Sequence, residues 1–152
     1  MSRLWAVSST AMEAEGFGGL FGDPEELRAS LGAAGITTLR NDSVRLQHEN
    51  GTLVLGGIDD LVLGGPDWEK LTMPNGVPHL LMAHNPDHFY EAQAFGVALT
   101  LAGHTHGGQI RAPLYGAILT SSALGKRYEM GPYVEQNTTL YISRGIGLEG
   151  LS

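Results

Sequence analysis

Two short apolar runs joined by one helical stretch occupy residues 79–104, and that order leaves few folds open. His79-Leu80-Leu81-Met82-Ala83 reads as a buried strand ending at His84. Asn85-Pro86 starts a helix that continues to about Ala94, and Gly96 ends it. Val97-Ala98-Leu99-Thr100-Leu101-Ala102 is a second near-continuous apolar run, ending at Gly103-His104. Strand, helix and strand with joints this short make a βαβ unit, which implies a parallel pair with a right-handed crossover. In an open α/β sheet, ligands bind outside the carboxyl ends of the strands. His84, His104 and His106 are therefore expected on one edge, from neighbouring strands.

The flanking sequence is read in the same way. Leu4-Trp5-Ala6-Val7 is a candidate strand, and residues 8–22 are poorly specified. Asp23 as N-cap, Pro24 at the first helical position and Glu26 three residues after the cap start a helix. Gly35 stops it at Ala34. A short strand over 36–39 and a hairpin follow, with Asn50-Gly51 as the turn between strands 44–48 and 53–58. Residues 59–78 form a long connection with one helical turn near Trp68, a length that usually has a functional reason. Beyond the second histidine run the chain reads as irregular to about Gly131. A last hairpin turns at Gln136-Asn137, between strands 132–135 and 138–143. The length of 152 residues suggests one domain, with 1–22 a poorly specified segment ahead of residues 23–152.

Composition narrows the function. The net charge of −7 and nine scattered basic residues argue against nucleic acid as a general partner. The absence of cysteine excludes disulfides, thiolate-bound zinc, iron–sulfur clusters and cysteine nucleophiles. No apolar run approaches the roughly 18 residues of a membrane span, and the first residues lack an apolar stretch of signal-peptide length. The expected location is the cytoplasm or the membrane periphery.

Neutral imidazole is the commonest metal ligand, and His-x-His in an extended loop can present both rings toward one site. One histidine at a strand end is more often structural; two in a glycine-rich turn and a third on the next strand end point to a metal. Gly103, Gly107 and Gly108 clear side chains from around that turn. His48, His79 and His88 read as surface or structural residues.

These residues resemble a known family. Gly103-His104-Thr105-His106-Gly107-Gly108-Gln109 is similar to the terminal metal-binding motif of the calcineurin-like metallophosphoesterases, in their bacterial GHTHGGQ branch. Ala83-His84-Asn85-Pro86-Asp87 resembles the preceding histidine motif, and Gly57-Ile58-Asp59-Asp60 and Tyr141-Ile142-Ser143-Arg144-Gly145-Ile146-Gly147 match in the expected order. The resemblance covers residues 23–152. It implies an α/β fold, part of a metallophosphoesterase sandwich: a mixed β-sheet with flanking helices, its βαβ unit carrying the histidine motifs at the carboxyl ends of strands. It implies hydrolysis of a phosphoester substrate by two divalent ions (Mn, Fe, Zn or similar) about 3.5–4 Å apart. His84 and His104 would ligate one ion and His106 the other, with Asn85, Asp59 and Arg144 near the substrate. Asp59 and Asp60 read equally as N-cap or turn residues.

The chain also departs from the family. It contains neither Asp-x-His nor Gly-Asn-His-Asp, and Gly22-Asp23 reads as a helix cap. Leu4–Val7 looks like the strand that leads into Gly-Asn-His-Asp, but Ser8-Ser9-Thr10-Ala11 follows it. The chain therefore resembles the second half of the domain, ending where relatives add another strand. Three neutral imidazoles contribute no negative charge against the repulsion of two dications. One ion at His84 and His104, completed by waters, is the expected remnant. A truncated form of an active enzyme, an inactive fragment or pseudoenzyme keeping a single metal or phosphate site, and a plain interaction module all stay open. Loss of half a two-sheet domain would expose an apolar sheet face, so self-association is expected.

Overall fold

The structure, a computed structural model, describes residues 4–7, 24–61, 64–105, 107, 111–112, 116–117 and 128–144. It divides into two units, Met1–His84 and Asn85–Ser152.

In the first unit, β1 (Leu4–Val7) pairs in parallel with β2 (Ile36–Leu39), Leu4 opposite Ile36 and Val7 opposite Leu39. Helix α1 (Pro24–Ala33) connects them. Its last turn closes through Ala34 N–H to Ser30 O at 3.0 Å and Gly35 N–H to Gly32 O at 3.0 Å. Gly35 leaves in the left-handed region at φ +81°, which only glycine enters without strain. β3 (Asp42–His48) pairs antiparallel with β4 (Gly51–Gly57), and β4 pairs in parallel with β5 (His79–Met82), so the sheet is mixed. The long connection carries the expected helical turn, a 3₁₀ helix over Trp68–Lys70. Residues 54–57 of β4 are buried, while Arg45, Gln47 and His48 of β3 are exposed. Leu39, Val54, Leu55, Ile58, Leu71 and Leu81 form the interior.

The hairpin turn departs from its expected position. Pairing of His48 with Gly51 makes Glu49-Asn50 the two-residue turn, one residue before Asn50-Gly51. Gly51 instead opens β4 at φ +149°, and the Asn50 N–H reaches the His48 Nδ1 at 3.4 Å.

β2 packs so closely on β4 that Gly57 has no room for a side chain. A Cβ there would stand 2.6 Å from the Leu39 Cβ and 2.7 Å from its carbonyl oxygen. At the preceding Gly56 the nearest atoms to a Cβ would be the Leu81 Cδ1, at 3.4 Å, and the Leu71 methyls, at 3.8 Å. Gly57→Ala should therefore cost about 1–3 kcal/mol through overpacking, and Gly56→Ala less. Urea midpoints of the two variants, measured side by side, check this; equal midpoints would refute the close approach.

In the second unit, a 3₁₀ turn over Pro86–His88 runs into helix α2 (Phe89–Ala94). Phe95 N–H to Glu91 O at 2.9 Å, Gly96 N–H to Gln93 O at 3.0 Å and Val97 N–H to Ala92 O at 2.9 Å close it. Because Val97 is engaged in that closure, β6 begins two residues later than the apolar run, at Leu99–Ala102. β6 pairs in parallel with β10 (Thr138–Ile142), and β10 pairs antiparallel with β9 (Gly131–Glu135), again a mixed sheet. The turn between β9 and β10 is Gln136-Asn137 as expected, with Gln136 at φ +53°. Phe89 of α2, Ala102, Leu140, Ile142 and Tyr128 make the core, with Tyr133 packed against it. Leu101 and Tyr141, paired in register, lie exposed.

The stretch read as irregular contains a short ribbon, β7 (Arg111–Ala112) antiparallel to β8 (Gly116–Ala117). Strands of two residues are too short to produce an alternation that sequence could reveal. Mixed strand pairing and helices in both units agree with part of an α/β metallophosphoesterase sandwich. Among the described residues, no helix is long and apolar enough to cross a membrane.

Candidate functional site

In the first unit the parallel ladder sets Gly57 of β4 opposite Met82 of β5, and Ile58 N–H still donates to Met82 O at 3.2 Å. Asp59-Asp60 and His84 therefore leave the sheet at the same carboxyl edge, where ligands bind in such sheets. Asp59 and Asp60 are only 3 % and 2 % exposed. The Asp59 carboxylate is held from three sides. Its Oδ1 accepts the Asp60 N–H at 2.8 Å, and its Oδ2 accepts the Arg40 Nε–H and the Gly65 N–H, each at 3.1 Å. Asn41, at φ +49°, accepts the N–H of Asp59 at 3.0 Å and of Asp67 at 3.2 Å, and donates to Gly65 O at 2.7 Å. This network ties the connection after β4 to the β2–β3 corner. It has the chemistry of the turn reading of Asp59, a buried carboxylate bonded by a guanidinium and backbone donors.

In the second unit β6 runs into Gly103-His104-Thr105. His104 is half-buried and takes φ +67°, the left-handed region in which non-glycine residues are uncommon and which often marks functional turns. Thr105 is 3 % exposed; its hydroxyl donates to Glu129 O at 2.7 Å and accepts the Gly107 N–H at 3.4 Å. Beside this turn, Ser143 N–H donates to Ala102 O at 2.8 Å, carrying Arg144 to the carboxyl edge that His104 occupies. At Gly107, φ +70°, a Cβ would stand 2.8 Å and 2.9 Å from the Cγ and Cδ of Arg144. The arginine stem thus lies directly on the backbone of the histidine turn. Arg144 also borders a cleft of about 480 Å³ with Met130, Gly131, Tyr141 and Ile142. Asn85 is buried, and its side-chain oxygen caps the following 3₁₀ turn by accepting the Asp87 N–H at 2.9 Å.

His84 belongs to the first unit and His104 to the second. His106, Gly108 and Gln109 of the histidine motif, and Gly145-Ile146-Gly147 of the last motif, lie outside the described residues. Among the described residues no group of three or more His, Asp or Glu side chains gathers as a metal site. The donors in question are imidazole nitrogens, which suit zinc, iron and similar ions, while the Asp59 carboxylate is engaged with Arg40. The donor chemistry thus fits a divalent ion of that kind. The other histidines have structural surroundings: the His79 Nε2 lies 3.1 Å from Pro74 O, and His88 is fully buried with its Nδ1 3.6 Å from Glu91.

Arg40, Asn41 and Thr105 went unnoticed in the sequence. Arg40 carries no motif, and Thr105 is overshadowed by its histidine neighbours. Asn41 alone had a signal, since asparagine tolerates the left-handed conformation that a tight corner requires.

Similarity to known proteins gives the chain a family: it belongs to the calcineurin-like metallophosphoesterases. It is 36 % identical over 127 residues to YkuE of Bacillus subtilis, described as an uncharacterized metallophosphoesterase, covering 82 % of this chain and 44 % of YkuE. The phosphodiesterase YaeI of Escherichia coli is 36 % identical over 118 residues, 78 % of this chain and 43 % of its own. LpxG of Chlamydia trachomatis, a UDP-2,3-diacylglucosamine pyrophosphatase, is 25 % identical over 126 residues, 74 % of this chain and 38 % of its own. The chain spans less than half the length of these relatives. No family model matches the chain, and no solved structure matches it significantly. Membership of the family implies divalent metal ions.

Proposed function

We propose that this chain supplies the carboxyl-terminal metal-binding part of a metal-dependent phosphoester hydrolase. The observation that carries this reading is the histidine turn, with His104 in the left-handed region and the Arg144 stem laid across Gly107. His84 and His104 would hold one divalent ion, and His106 would serve a second. Such an ion supplies Lewis-acid activation at a phosphoryl group. The remaining work belongs to the protein. The Arg144 guanidinium can take two phosphoryl oxygens at once, a geometry that lysine cannot reproduce. Asn85 and Asp59 would border the substrate, Asp59 by holding Arg40 at the edge of the first sheet.

A second reading, a chain that binds one ion and does not turn over, is favoured by the engaged Asp59 carboxylate and the neutral donors. Hydrolysis of an activated aryl phosphodiester with added manganese separates the two. Turnover that disappears in His104→Ala supports the hydrolase. Manganese binding without turnover supports the single-ion form, and no manganese affinity overturns both.

Self-association belongs to the same reading. Leu101 of β6 and Tyr141 of β10 stand side by side and exposed, and Val134 is 71 % exposed on β9. Apolar side chains grouped in this way favour pairing with a second copy. Light scattering should give a mass that rises with concentration, and Leu101→Lys should suppress the rise; a constant monomer mass would oppose the idea.

A further inference from the structure

Thr105 stands between two histidines with proposed roles, and its own part is carried by a separate set of contacts. We propose that Thr105 is a positioning residue, whose hydroxyl fixes the backbone turn that carries the imidazole of His104. The inference rests on the hydrolase reading for its purpose, but on its own contacts for its geometry.

A threonine hydroxyl has one proton to give and lone pairs to accept with, and here both capacities are used. The proton goes to Glu129 O at 2.7 Å, a good O–H···O length, and the oxygen accepts the Gly107 N–H at 3.4 Å. The Thr105 N–H donates to Gly103 O at 2.8 Å, so a backbone bond closes a three-residue turn with His104 at its centre. The backbone bond closes the turn across the residue at φ +67°, and the two hydroxyl bonds hold the chain directly after it, so that the strained conformation is kept from relaxing to a commoner one.

The anchor is itself held. The Tyr133 hydroxyl accepts the N–H of Glu129 at 3.0 Å and of Met130 at 3.1 Å, and donates to Met130 O at 2.9 Å. Tyr133 meets Tyr128 edge-on, ring centroids 4.9 Å apart, and the buried Tyr128 donates its hydroxyl to Glu135. The turn is thus pinned to a rigid knot between core and strand. A side chain that only filled space there would not need a hydroxyl.

Thr105→Val keeps the shape and removes the hydroxyl; Thr105→Ser keeps the hydroxyl. In the valine variant we expect the His104 imidazole signals in NMR spectra to shift and broaden and the Gly107 amide to exchange faster. Manganese affinity by calorimetry should fall about 10–100-fold, as for other residues that orient a metal ligand. The serine variant should restore all three. Should the valine variant not fold, Tyr133→Phe loosens the anchor one step away and should move the same readouts in the same direction. Unchanged His104 signals and Gly107 exchange in the valine variant would overturn the proposal, as would failure of serine to restore them. If the unaltered protein binds no manganese, the hydrolase reading fails, while the His104 and Gly107 signals still decide the role of Thr105.

Discussion

Replacing His104 by alanine, asparagine or glycine should remove divalent-ion affinity in all three variants while moving stability in different directions. Affinity should drop by more than about 100-fold, beyond the loss typical for a residue that only orients a ligand. Stability follows the backbone. At φ +67° alanine bears the full steric conflict between Cβ and backbone, asparagine tolerates the region, and glycine has no conflict. Glycine should therefore be more stable than alanine by about 1 kcal/mol, with asparagine between them. Calorimetric titration with manganese and urea unfolding read the two effects separately. Affinity retained in any variant would remove His104 from the ligands, and identical stabilities for alanine and glycine would contradict the left-handed turn.

The elements that sequence revealed are those whose signal is local. Pro24 and Gly35 bracket α1, Asn85-Pro86 begins the helical stretch before Gly96, and the apolar runs before His84 and His104 are strands, though only alternate residues of each are buried. Each follows from the conformational limits of proline and glycine or from a run of apolar side chains. The hairpin turn was displaced by one residue because Asn50-Gly51 suits two placements, and only the pairing of β3 with β4 chooses between them. The β7–β8 ribbon had no pattern long enough to read. In the site, the histidines were visible because imidazole in a glycine-rich turn is chemically conspicuous. What orients them was not. The bond from Thr105 to Glu129 joins residues 24 apart, and that from Arg40 to Asp59 joins residues 19 apart, so neither leaves a local trace.

The second large effect concerns Asp59, whose surroundings bear on its proposed place near the substrate. Asp59→Ala should destabilise the protein by about 1–3 kcal/mol, the scale for leaving buried donors without an acceptor, since the Arg40 charge left behind is 34 % exposed. The loss would deprive the Arg40 guanidinium and the Asp60 and Gly65 N–H groups of their shared acceptor. Asp59→Asn is the sharper test. It keeps an oxygen for the Asp60 N–H, but an amide nitrogen at Oδ2 would set donor against donor at Gly65 and Arg40. Arg40→Met should cost less than Asp59→Ala, since Arg40 is 34 % exposed and the carboxylate retains its two backbone donors. In a double-mutant cycle, Arg40→Met with Asp59→Asn should therefore be less harmful than the sum of the single changes, because the remaining conflict at Arg40 is relieved. Urea midpoints supply all these values. A stable Asp59→Asn variant that loses only turnover would make Asp59 a direct substrate contact. An unstable one, with turnover falling in step with the folded fraction, would make it the residue that holds the edge of the first sheet in place.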